Sequence, residues 1–222
     1  MSVNHSKYWV SEAHYFDEGR NAVQINQQGE WLPYDNIELK IDIFENRTKS
    51  WFLNHAHKLI ETEISENGDI KRPGEYAAMV LACSQLEGFQ KFREGYVENN
   101  LSRLYFCKSI MKIFLDYSDE ELRGLSNIEK IKEKNIPNLL NLYKYIRCGL
   151  FHAGFTDGTI YLNWSYEGAI NNEDTNIFIN PREFVEKIIK YFKDYVEELR
   201  NRQNETLRKE FEKRFDHLWD LG

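Results

Sequence analysis

Arg147 and His152 are the pair whose types and spacing most clearly suggest chemistry. They lie in the stretch Tyr143–Gly154, which reads YKYIRCGLFHAG. An arginine keeps its charge at any physiological pH and grips a phosphate with two parallel hydrogen bonds. A histidine titrates near neutrality and moves protons. Together they meet the minimum need for cleaving RNA without a metal. The ribose 2′-hydroxyl is the nucleophile, the imidazole activates it or protonates the leaving oxygen, and the guanidinium neutralises charge growing on the phosphate. The stretch reads as a helix end, whose dipole favours the imidazolium. The spacing works against the pair: on an ideal α-helix, five residues at about 100° each set the two side chains about 140° apart. They meet only if the helix loosens near Gly149 or Gly154, or if Arg147 reaches round. His152 instead shares a face with Cys148, Tyr145 and Asn141, so a histidine that merely caps the helix competes with the catalytic reading.

Glu87 is the next unusual residue. It falls with Tyr76, Val80 and Cys83 on one stripe of a helix expected from Pro73 to about Phe92. A carboxylate on or beside a face meant for burial is costly unless paired. Snorkelling, or pairing with Lys91 four residues on, is the plainer explanation.

These residues also carry a resemblance. Arg147-Cys148-Gly149-Leu150-Phe151-His152 matches the R-x4–6-H motif of the HEPN superfamily in its four-residue-spacer form. Met79–Gly88, MVLACSQLEG, is similar to the second helix of such domains, where an acidic residue faces the site. The resemblance covers roughly Glu75–Gly154 and, more loosely, the C-terminal helix. It implies a bundle of four or five helices, often a dimer with two motifs facing one cleft. Many members are metal-independent ribonucleases of toxin–antitoxin, abortive-infection or other defence systems. On that pattern Arg147 binds phosphate, His152 is the acid/base and Glu87 orients Arg147 by an ion pair, with Cys148, Tyr145 and Asn141 in support. RNA is then the substrate, an antitoxin or other protein and a second copy of the chain are the partners, and no cofactor is needed. The residue after the arginine is usually Asn, Asp or His in active members, whereas here it is Cys148. A non-catalytic module of the same fold, binding RNA, nucleotides or a protein, is therefore the second reading, and a plain structural domain the third.

Other signals are weaker. His55 and His57 point about 200° apart on a helix and do not chelate one ion. Ser109-Ile110-Met111-Lys112 fits Ser-x-x-Lys without its companion motifs. Cys148 as a nucleophile beside His152 lacks a third, orienting group. The net charge of −7 argues against indiscriminate coating of nucleic acid but allows a local basic site. Cys83, Cys107 and Cys148 stand apart with no CxxC pair, which fits reduced thiols in a cytoplasmic protein. No apolar run approaches the ~18 residues of a membrane span, and MSVNHSKYWV shows no signal-peptide pattern.

The elements that must position the site follow from periodicity. Residues 1–35 read as an irregular, aromatic-rich arm with one short strand at Ala22–Ile25. Helical spacing runs from about Ile37 to Ile64, then from Pro73 to Phe92 and from Leu101 to Leu115. Ser118–Gly124 reads as a short acidic helix. Pro137 opens the key helix, with Ile136, Leu139, Leu140, Tyr143, Ile146 and Leu150 as its apolar stripe. A small β-hairpin is expected over about 159–179, its strands at Thr159–Trp164 and Asn176–Ile179. Asn180-Pro181-Arg182-Glu183 is a strong helix start, and a stripe of Phe184, Ile188, Phe192, Tyr195 and Leu199 follows. The expected fold is mainly α: a HEPN-like bundle of four to five helices over 36–222 with the hairpin before the C-terminal helix.

Overall fold

The computed structural model describes residues 8–17, 22–25, 29, 31–61, 63–64, 70–71, 74–150, 160–173 and 176–219. The chain is mainly helical, with small sheets, and it divides into two compact units. One comprises residues 1–52, 91–98 and 194–222, and the other 53–90 and 99–193.

The first unit begins with a sheet where an irregular arm was expected. Strands β1 (Tyr8–Trp9), β2 (His14–Phe16), β3 (Ala22–Ile25) and β4 (Trp31–Pro33) form an antiparallel meander in that order. Strands this short cannot display a convincing alternation of apolar and polar residues. Their register, with Tyr15 opposite Gln24 and Val23 opposite Leu32, rests on the backbone ladder. Val10, Tyr15, Phe16 and Val23 are buried. Helix α1 (Ile37–Thr48) follows, capped by the Asn36 side chain on the Glu38 amide.

Arg47 of α1 fastens the sheet: its guanidinium donates to the Val10 carbonyl at 3.0 Å and stacks over the Trp51 and Trp219 rings at 4.3 and 5.3 Å. The core of this unit is aromatic. Phe211 packs on Phe44 and Phe92 with ring centroids 5.3 and 5.4 Å apart. Lys40 is only 3% exposed and sits between Glu212 at 2.7 Å and Asp216 at 2.8 Å. Mixed-sign charges along a last helix read as a solvated face, yet Arg214 is buried and donates to the Val97 carbonyl at 2.7 Å. Gly95 has φ +60°, and a Cβ there would run into the Glu210 carboxylate.

In the second unit, α2 (Asn54–Ile60) follows a π-helical turn at Lys49–Leu53. The helical stretch thus ends at Ile60, short of the expected Ile64, which pairs instead with Ile70 in a two-residue ladder, β5 (Glu63–Ile64) with β6 (Ile70–Lys71). Asn67-Gly68-Asp69, whose residue types suggest a turn, lies outside the described residues. Helices α3 (Glu75–Arg93) and α4 (Ser102–Leu115) supply most of this core, with Met79, Cys83, Leu86, Phe106, Cys107 and Met111 buried. Two short helices, α5 (Asp119–Arg123) and α6 (Ile128–Glu133), lead to α7 (Leu139–Leu142), which continues as a π-helix over Tyr143–Leu150.

The expected hairpin is a three-stranded mixed sheet. β9 (Asn176–Ile179) is its central strand, parallel to β7 (Ile160–Leu162) and antiparallel to β8 (Ile170–Glu173). β8 reads INNE, and a strand this polar gives no signal beyond that of a connecting loop. Asn180 then ties the sheet to α8 (Pro181–Arg200), as its side-chain oxygen accepts from the Arg182 and Glu183 amides while its amide nitrogen donates to the Trp164 and Tyr166 carbonyls. Phe184 and Phe192 of α8 stack on Phe114 and Phe89 at 4.7 and 5.2 Å. After a short break the chain ends in α9 (Glu205–Trp219), which belongs to the first unit.

Candidate functional site

The site is built on the π-helical segment. In a π-helix the backbone hydrogen bonds run from i to i+5, so residues five apart come one above the other, and such segments are frequent at functional sites. Tyr143 and Cys148 have this spacing. Tyr143 was expected on the apolar stripe. Of that stripe Leu139 and Ile146 are buried, whereas Ile136, Leu140 and Tyr143 are half-buried, and Leu142, outside it, is buried. Its ring rests edge-on against Phe106 of α4, centroids 5.5 Å apart.

Helix α3 carries two further residues of interest. Cys83 and Glu87 are four residues apart and so share a face. The charge of Arg147 acts on the Cys83 thiol, and the charges of Glu87 and Arg147 both act on the Tyr143 phenol. These charge effects relate Cys83 and Glu87 on α3 to Tyr143 and Arg147 on the π-helix. Glu87 is half-buried and accepts a hydrogen bond from the Ser102 hydroxyl at 2.9 Å, on the first residue of α4. This contact gives a partner to the carboxylate that looked anomalous on an apolar stripe.

Burial is the largest cause raising the Tyr143 phenol above its usual value. The adjoining Cys148, through charge and hydrogen bond, and the Glu87 charge add to it, while Arg147 opposes. The phenol is thus a neutral hydrogen-bond donor across the physiological range. Burial also pushes the Cys83 thiol far up, against a smaller opposing effect of Arg147, so it is no nucleophile. Cys107 is pushed up to about 12 by burial, with Arg103 opposing.

Two of the expected supporting residues make local contacts instead. The Tyr145 hydroxyl accepts from Lys144 at 3.0 Å, and Asn141 donates to the Asn138 side chain at 3.2 Å. His152 and Gly154 lie outside the described residues. His55 and His57 are both exposed, and among the described residues no cluster of three or more His, Cys, Asp or Glu is placed to hold a metal. Ser109 donates to the Leu86 carbonyl and Lys112 pairs with Asp119 at 2.9 Å, so the Ser-x-x-Lys pattern serves packing. Among the described residues no helix is long and apolar enough to cross a membrane.

Sequence reasoning missed Ser102 and Tyr143. Serine at a helix start reads as an ordinary cap, and a tyrosine in an apolar stripe reads as core. No family model, curated protein or solved structure matches the chain.

Proposed function

We propose that the group around Arg147 is part of a metal-independent endoribonuclease site of the HEPN kind. What carries this reading is that the opposite charges of Glu87 on α3 and Arg147 on the π-helix both act on one phenol, Tyr143. The bundle of the second unit, with α3, α4, the α7/π-helix and α8 as its main helices, is compatible with the superfamily fold. Arg147 binds the scissile phosphate, and Glu87 orients Arg147. His152, which lies outside the described residues, is assigned the acid/base role.

In the reaction the ribose 2′-oxygen bonds to the adjacent phosphorus while the bond to the 5′-oxygen breaks. One proton leaves the 2′-hydroxyl for a base, and one reaches the departing 5′-oxygen. The products carry a 2′,3′-cyclic phosphate and a 5′-hydroxyl. A homodimer with two such sites facing one cleft, RNA as substrate, a cytoplasmic location and a place in a toxin–antitoxin or phage-defence system belong to the same proposal. Cys148, at the position that is usually polar in the active enzymes, favours one alternative, a non-catalytic module that binds RNA or a partner protein through this surface. Single-turnover cleavage of a structured RNA in EDTA separates the two. Cleavage lost in both Arg147→Ala and His152→Ala supports the nuclease. Cleavage absent from the parent protein, or equal in all three, refutes it.

A further inference from the structure

We propose that the second unit holds a binding site for a small carboxylate whose apolar body is about the size of one aromatic ring, in a cavity beside Lys187. The site uses none of the residues assigned to RNA, and it stands or falls without the ribonuclease reading.

The cavity measures about 180 Å³ and lies among the end of α4, the entry to α7, the start of β8 and α8. All of these belong to the second unit. Its floor is apolar and buried: Ile110, Leu139, Leu142 and Ala169 are each at most 4% exposed. Gly168 leaves one wall open, since it has φ +84° and a Cβ there would meet no atom within 4 Å. An engineered apolar cavity of about 150 Å³ takes up benzene, so this one has room for a single ring with a short arm.

The polar groups at the mouth are donors. Lys187 is exposed, and its ammonium stands 5.9 Å over the Phe114 ring. It makes no ion pair with a described residue, although Glu183 lies one turn before it and Glu186 next to it. Lys112 on α4, by contrast, has Asp119 at 2.9 Å. The side-chain oxygen of Asn172 accepts from the Asn138 amide at 3.1 Å, so N–H donation is what Asn172 has left to offer. Among the described residues no acidic side chain lines the cavity. An apolar floor with donors alone at its mouth selects an apolar body that ends in an anionic acceptor. One ammonium and one amide match the single charge of a carboxylate, whereas a phosphate calls for more donors.

The test is titration of phenylacetate into the full chain, followed by NMR. For about ten heavy atoms a dissociation constant on the order of 1 mM is expected. The ring protons should show intermolecular NOEs to the Ala169 and Ile170 methyl groups. Phenylacetamide, the uncharged isostere, should bind about three- to fivefold more weakly, the range of a good exposed ion pair. Lys187→Met keeps the stem and removes the charge, so it should erase the preference for acid over amide. Ala169→Leu fills the floor and should abolish binding of both ligands. No saturation by phenylacetate at about twenty times the expected constant overturns the proposal. So does equal affinity for acid and amide, a preference that survives Lys187→Met, or unchanged binding in Ala169→Leu with the parent's melting curve. If Ala169→Leu does not fold, the NOEs to Ala169 in the parent chain locate the ligand, and their absence overturns the proposal.

Discussion

Ser102→Ala should slow RNA cleavage without unfolding the protein. Ser102 donates to Glu87 at 2.9 Å, and both side chains are half-buried. A hydrogen bond to a charged group contributes about 1.5–3 kcal/mol when well shielded. Partial exposure lowers this to about 1 kcal/mol. Leu101, not Ser102, is the cap residue of α4, and no side chain caps that end, so removing the hydroxyl takes away no helix cap. The consequence falls on the carboxylate, which loses the contact that fixes its rotamer, and through it on Arg147. If that energy is all expressed in the transition state, the rate falls about fivefold, since 1.36 kcal/mol is tenfold. Ser102→Thr keeps a hydroxyl and restores most of the rate. The assay is single-turnover cleavage in EDTA, with melting temperatures for all three proteins. The reasoning is refuted if Ser102→Ala is as fast as the parent while Glu87→Gln is slow, because Glu87 would then need no positioning by Ser102. Equal losses in the Ala and Thr variants would refute it as well.

Three further outcomes are expected. His14 is buried, hydrogen-bonded to Ser11 at 2.7 Å, and burial holds its pKa below the ordinary 6.5 against the opposing charge of Asp42. The unfolded chain therefore binds more protons below about pH 6.5, so stability should fall as pH drops through that value; melting curves between pH 7.5 and 5 show this, and His14→Gln should flatten the dependence. Lys40→Met strands the carboxylates of Glu212 and Asp216, which are 34% and 24% exposed. Breaking a fully buried pair costs about 3–5 kcal/mol, so a loss of about 2 kcal/mol in urea denaturation is expected after allowing for solvent; no loss would contradict the packing described for α1 and α9. Cys148 is half-buried whereas Cys83 and Cys107 are buried with raised pKa values. Brief alkylation followed by mass mapping should therefore label Cys148 first, and equal labelling of Cys83 would contradict the site geometry.

What could be read from the residues depended on element length. The buried face of α8 was legible because its apolar spacing repeats over several turns, and Asn180 announced that helix by its cap chemistry, whereas on α3 the stripe through Tyr76, Val80 and Glu87 was misplaced: Tyr76 is exposed and burial falls on Met79, Ala82, Cys83 and Leu86. The meander at residues 8–33 was not, since strands of two to four residues show no reliable period. β8 escaped because its Asn-rich sequence matches a loop. The first unit was hidden for a different reason: it gathers three segments far apart in the chain, and local periodicity carries no record of such pairings. In the candidate site, Arg147 and Glu87 were found through residue type and an out-of-place charge. Tyr143 was assigned to the core by α-helical spacing, whereas Tyr143–Leu150 is wound as a π-helix and Tyr143 is half-buried.

The central claim is that this surface handles an RNA phosphate with its own side chains. The most direct measurement compares, in EDTA, an RNA oligonucleotide that the protein cuts with the same strand carrying one 2′-deoxy sugar on the 5′ side of the cut. The account predicts cleavage of the first, with a 2′,3′-cyclic phosphate and a 5′-hydroxyl at the new ends, and none of the second at that bond. Cleavage of both, or cleavage that EDTA abolishes, would contradict it.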